Sequence, residues 1–160
     1  MAPAQFAANR PSFEPLTFFE GPTHSWAVIE NRRGDPTSQF RADLVGRREG
    51  DEIAIEQNFT FAGGRREQRL WRIRRIDGHH YEATANDVVG VSRGEAWGNV
   101  FRWSYTTAGS RRGWIDDLHY DLWMYLMEDG ETLINRVTIT KLGIVVARTT
   151  EYFRRGALAQ

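Results

Sequence analysis

One residue stands apart chemically: Lys141 is the only lysine in a chain that carries 20 arginines. On an apolar wall its ammonium would be desolvated, its pKa would fall, and the neutral amine could condense with an aldehyde or ketone. At a strand end the same long side chain instead reaches through the rim to water. Asn99 and Asn135 come next, because an inward amide must find a partner in the protein or in the polar end of a ligand. Other patterns are weaker. His79 and His80 are adjacent and so point to opposite faces of a strand, which prevents them from sharing a metal. His119 lies between Asp117 and Asp121 on a face read as solvent-facing, without the three convergent ligands of a catalytic zinc. Ser25, Ser92, Ser104 and Ser110 sit in no nucleophile elbow, and Gly90 to Gly94 opens no helix. No catalytic residue, metal set or cofactor is assigned.

These residues must be placed by strands. From residue 23 the chain alternates apolar and polar residues in segments broken by glycine-bearing turns, the mark of half-buried strands. Nine segments are expected: Thr23–Asn31, Gln39–Gly46, Glu52–Phe61, Arg66–Ile76, His79–Asp87, Glu95–Thr106, Trp114–Met127, Thr132–Lys141 and Ile144–Arg154. No helical pattern separates them, so an antiparallel meander follows. About eight or nine strands with no partner sheet predict an all-β, up-and-down antiparallel barrel, with a two-sheet sandwich as the alternative. Residues 1–22 hold four of the five prolines and should form an irregular arm. Its Phe13 to Phe19 stretch is expected to pack on the barrel. Residues 23–155 form the single domain, and 156–160 a tail.

The hairpin around Asp129-Gly130 is the most informative. A two-residue turn there places Leu118, Tyr120, Leu122, Met124 and Leu126 on one face, with Leu133, Asn135, Val137, Ile139 and Lys141 opposite. The interior therefore receives Asn135 and Lys141. The sixth segment aligns Trp97, Asn99, Phe101, Trp103 and Tyr105, and the third aligns Ile53, Ile55, Gln57, Phe59 and Phe61. The fourth and ninth segments stay unoriented. A one-residue change in the Gly63-Gly64 or Gly143 turn decides between Trp71 and Leu70, and between Glu151 and Arg148. On the outer face Trp123 and Tyr125 lie beside Arg136, suiting a cation–π pair, and the arm could cover them.

Equal numbers of basic and acidic residues argue against a nucleic-acid partner, and the lack of cysteine excludes disulfides and thiolate chemistry. No apolar run is long enough for a transmembrane segment. From about Phe18 the chain resembles the bacterial Domain of Unknown Function family 3833. The stretches that carry the likeness are Phe18-Phe19-Glu20-Gly21-Pro22, Arg69-Leu70-Trp71-Arg72-Ile73 and Asp87-Val88-Val89-Gly90. Gly98-Asn99, Trp123-Met124-Tyr125-Leu126, Ile134-Asn135-Arg136 and Lys141-Leu142-Gly143 continue it, with Phe153-Arg154 near the end. The resemblance implies a lipocalin-like barrel and supplies no activity. Many members look like lipoproteins with an acylated cysteine; this chain shows neither signal nor cysteine, so a cytoplasmic location is expected.

The functional expectation is a binding protein for a hydrophobic or amphipathic small molecule. Phe101, Trp103, Tyr105 and Tyr120, together with Trp97, would meet the apolar body, and Asn99, Asn135 and Lys141 the polar end. The alternatives are an enzyme of lipid or isoprenoid metabolism using Lys141 or Asp87, and a cavity-free barrel that binds proteins.

Overall fold

A computed structural model describes residues 1–109 and 117–158. Ten strands follow one another in chain order: β1 (Gly21–Asn31), β2 (Pro36–Glu49), β3 (Glu52–Phe61), β4 (Arg66–Arg75), β5 (His80–Ala85), β6 (Ser92–Trp97), β7 (Val100–Thr107), β8 (Leu118–Leu126), β9 (Thr132–Lys141) and β10 (Ile144–Arg155). Each pairs antiparallel with the next, and β10 pairs with β1, so the sheet closes into an up-and-down barrel. Closure leaves no unpaired edge, and inward and outward side chains alternate along every strand. The expected start of the seventh segment at Trp114, and with it Ser110, Arg111 and Arg112, lies outside the described residues.

The tenth strand comes from splitting the sixth expected segment. Trp97 pairs with Val100 across a Gly98-Asn99 turn, in which Gly98 has φ +56°. A two-residue turn reverses the parity of a strand pair, so Ala96, Phe101 and Trp103 point inward while Trp97 points out. Trp97 therefore leaves the predicted aromatic row and stacks on His79 at 3.5 Å. The β8–β9 hairpin has the expected register, with Tyr120 opposite Ile139 and Met124 opposite Asn135.

The two strands left unoriented resolve as follows. Phe61 and Arg65 bracket a three-residue loop, so Arg69, Trp71 and Ile73 face inward from β4. In β10 a bulge between Val145 and Ala147 shifts the register by one residue. That shift turns Arg148 outward and Thr149, Glu151 and Phe153 inward.

The arm closes one end of the barrel. A short helix, α1 (Pro15–Phe18), begins with Pro15 and is capped by the Glu14 carboxylate, which accepts from the Leu16 amide at 3.3 Å. Phe13, Leu16, Phe18 and Phe19 are buried in the same core as Ile53, Ile73, Tyr81, Phe101 and Phe153. Phe13 meets Phe101 edge-on at 6.0 Å, and Phe19 meets Phe153 at 5.7 Å. Gly46 is required where α1 ends, since a Cβ there would stand 1.8 Å from the Phe19 carbonyl oxygen. Earlier in the arm, Phe6 packs edge-on against Trp123 and Tyr125 on the outer wall. The cation over Trp123 is Arg102, at 4.9 Å, rather than the cross-strand neighbour Arg136.

Candidate functional site

Beyond the plug, the other half of the barrel encloses a cavity of about 200 Å³. It lies towards the end that carries the β1–β2, β3–β4 and β9–β10 turns. Phe40, Phe59, Trp71, Trp103, Tyr105 and Tyr120 supply most of its aromatic wall, and half-buried Phe61 stands near its mouth. Wider grooves occur on the outside, including one of about 400 Å³ beside Val45, Leu70 and Arg72, but mostly outward-facing residues line it.

Five buried polar side chains line this aromatic space: Gln57, Arg69, Asn135, Thr149 and Glu151. Arg69 closes on the Asp87 carboxylate with Nε at 2.8 Å and Nη2 at 2.8 Å, and its Nη1 donates to the Tyr105 hydroxyl at 3.1 Å. Its guanidinium also lies 5.4–5.7 Å from the ring centres of Phe59, Trp71 and Tyr105. Burial opposes its charge, yet Tyr105 and Asp87 hold its pKa above the ordinary value. A bidentate arginine–carboxylate pair is the geometry that makes a buried guanidinium tolerable. Burial pushes the Tyr105 hydroxyl up to about 12 in spite of Arg69 nearby.

Glu151 occupies the opposite side of the polar set. Ser25 Oγ donates to its Oε2 at 2.7 Å, and Asn135 Nδ2 to its Oε1 at 3.2 Å. Burial raises its pKa to about 7, while these two hydrogen bonds and the Arg69 charge pull it down. Its carboxyl group therefore exchanges a proton near neutrality, inside an aromatic chamber. Gln57 accepts from the Trp71 indole at 3.0 Å, which fixes both side chains.

Of the eight residues expected to contact a ligand, Trp103, Tyr105, Tyr120 and Asn135 line the cavity, and Trp97 points outward as described above. Phe101 is buried beneath the plug, against Phe13 and Tyr81, and does not line it. Asn99 stands in the β6–β7 turn at the plugged end. Its Nδ2 donates to the Leu126 carbonyl at 3.1 Å, and its Oδ1 accepts from Asn9 at 3.0 Å. Lys141 ends β9, half-buried, beyond Ile139, and is not among the lining residues. Asp87 is paired with Arg69 and is not among the residues lining the cavity. Arg69 and Glu151 escaped sequence reasoning because a loop length and a bulge set their direction. Among the described residues no group of three or more His, Asp or Glu side chains could hold a metal ion.

Solved structures show the same fold. The S-type phycobiliprotein lyase CPES from Guillardia theta aligns over 94% of this chain and 96% of its own, with a TM-score of 0.66 and 8% identity. Rv2717c from M. tuberculosis aligns over 93% and 99%, with a TM-score of 0.62 and 12% identity. At these identities the likeness concerns the fold alone. No curated protein matches the chain. The family model described as a protein of unknown function (DUF3833) matches residues 1–155, and the chain belongs to that family.

Proposed function

We propose that this barrel binds a hydrophobic or amphipathic small molecule in its unplugged half. The observation that carries the reading is the cavity itself, an aromatic chamber into which a few fixed polar side chains converge. Ligand pockets typically combine an apolar lining with a small number of placed polar groups. The rings of Trp71, Trp103, Tyr105 and Tyr120 take the body of the ligand, and Asn135 meets its polar end beside the internally held Arg69 and Glu151. An interior with space of this size disfavours the alternative of a fully packed barrel acting only through its surface. No helix among the described residues is long and apolar enough to cross a membrane. Extraction of the purified protein followed by mass spectrometry tests the reading. One stoichiometric molecule, lost when Tyr120→Ala and Trp103→Ala are combined, is the expected result. Equal recovery from that double variant and the parent protein would contradict it.

A further inference from the structure

Two side chains of the cavity wall carry buried polar atoms that no described residue partners. Asn135 is 1% exposed, and while its Nδ2 is committed to Glu151, its Oδ1 meets no donor among the described residues. Glu151, itself held by Ser25, thereby fixes which end of the amide is left over. Trp103 is 7% exposed, and its indole N–H likewise meets no acceptor among the described residues. Both side chains line the same chamber. A buried polar atom without a partner is costly, so an orphaned acceptor and an orphaned donor favour an occupant that supplies the complementary pair.

Their placement suits one compact group. Asn135 pairs with Met124, and Met124 with Phe101, so Asn135 and Trp103 lie two strands apart with an offset of one inward step. Two strand spacings, about 10 Å, combined with one inward step along the strand, about 7 Å, set their Cα atoms about 12 Å apart. Two converging side chains and a polar group between them span that distance.

Charge narrows the choice further. The Arg69 guanidinium is already closed on Asp87 and bonded to Tyr105, so an anionic ligand would have to displace Asp87 and would also face Glu151. A cationic ligand would face Arg69. Arg69 and Asp87 offset one another and Glu151 is held by Ser25 and Asn135, so the unused capacity, Asn135 Oδ1 and Trp103 Nε1, is neutral.

We propose, resting on the binding reading above, that the cavity selects an uncharged, flat apolar ligand ending in a carboxamide-type group. Its N–H donates to Asn135 Oδ1, and its carbonyl accepts from Trp103 Nε1. Apolar flatness matches the aromatic wall, where Trp71, Trp103 and Tyr105 pack with centroids 4.7–5.7 Å apart.

Calorimetric titration of the full chain at pH 8 tests this with four probes of one shape: naphthalene-2-carboxamide, its methyl ester counterpart, naphthalene-2-carboxylate and 2-naphthylmethylammonium. The carboxamide should bind at least about tenfold tighter than the ester, and both charged probes should bind more weakly than the ester. Asn135→Leu should bind the ester as the parent does while losing the carboxamide advantage. Trp103→Phe keeps a ring at that position and should lose part of the same advantage, which keeps the test sharp should Asn135→Leu fold poorly. Tightest binding by either charged probe, or an undiminished carboxamide preference in both variants, would overturn the head-group inference while leaving the binding reading intact. Binding of none of the four would remove both.

Discussion

The two ends of this barrel are built from the same alternating strands and are filled in opposite ways. At one end the arm inserts Phe13, Leu16, Phe18 and Phe19 among apolar side chains, and the interior is packed. At the other end the strands admit Arg69, Glu151, Asn135 and Gln57 and leave a cavity. The plugged end gains stability from burial and close contact. The cavity end instead carries buried charge that must be neutralised internally, by Asp87 for Arg69 and by hydrogen bonds for Glu151. Proteins accept such costs where a site is needed more than stability, and the plug is the part that offsets them.

That contrast can be broken most forcefully at the plug. Leu16 is fully buried, so Leu16→Ala should lower unfolding free energy by about 2–5 kcal/mol in urea denaturation. Phe61→Ala, at the half-buried mouth, should cost under about 1 kcal/mol and weaken ligand binding instead. Equal stability losses at the two ends would erase the distinction. Next in size is Asp87→Ala, which strands the Arg69 guanidinium. A fully buried broken pair costs roughly 3–5 kcal/mol, and partial exposure of Asp87 reduces the expectation to about 2 kcal/mol.

Glu151 sharpens the comparison through pH. Its folded pKa of about 7 lies above the ordinary 4.5, so the folded protein keeps a proton that the unfolded chain has already released. Stability therefore falls as pH rises between those values and stays reduced above them, by at most about 3 kcal/mol. Glu151→Gln should remove that slope, and thermal unfolding followed from pH 4 to 8 should show the variant gaining on the parent as pH increases. An unchanged difference across the range would contradict a titrating carboxyl in the chamber. The smallest effect is expected at Trp26 on the outer wall, 42% exposed, where Trp26→Ser should shift stability by less than about 1 kcal/mol and leave binding unaltered.

How much of this was legible depended on turns. The Asp129-Gly130 turn fixed the β8–β9 register, and with it the inward direction of Tyr120 and Asn135. The Gly98-Asn99 turn was hidden because the alternation of large residues runs straight through Trp97, Asn99 and Phe101, and the sequence pattern does not register the parity change at a hairpin. Arg69 faces inward only because the β3–β4 loop has three residues rather than two. Glu151 does so only because β10 carries a bulge. Both are one-residue effects in backbone geometry, and both concern residue types whose ordinary place is the surface. Lys141, the compositional oddity, lies on the expected strand but at its end, beyond Ile139 and outside the cavity lining.

The central claim is that the unplugged half is the ligand compartment, and indole N–H resonances read it residue by residue. With ¹⁵N-labelled protein titrated with naphthalene-2-carboxamide, the Trp103 and Trp71 indole signals should shift together and saturate, because both rings line the cavity. Those of Trp26, Trp97 and Trp123, on the outer wall, should stay in place. Shifts confined to the outer tryptophans, or no shift at Trp103 at saturating probe, would contradict the account.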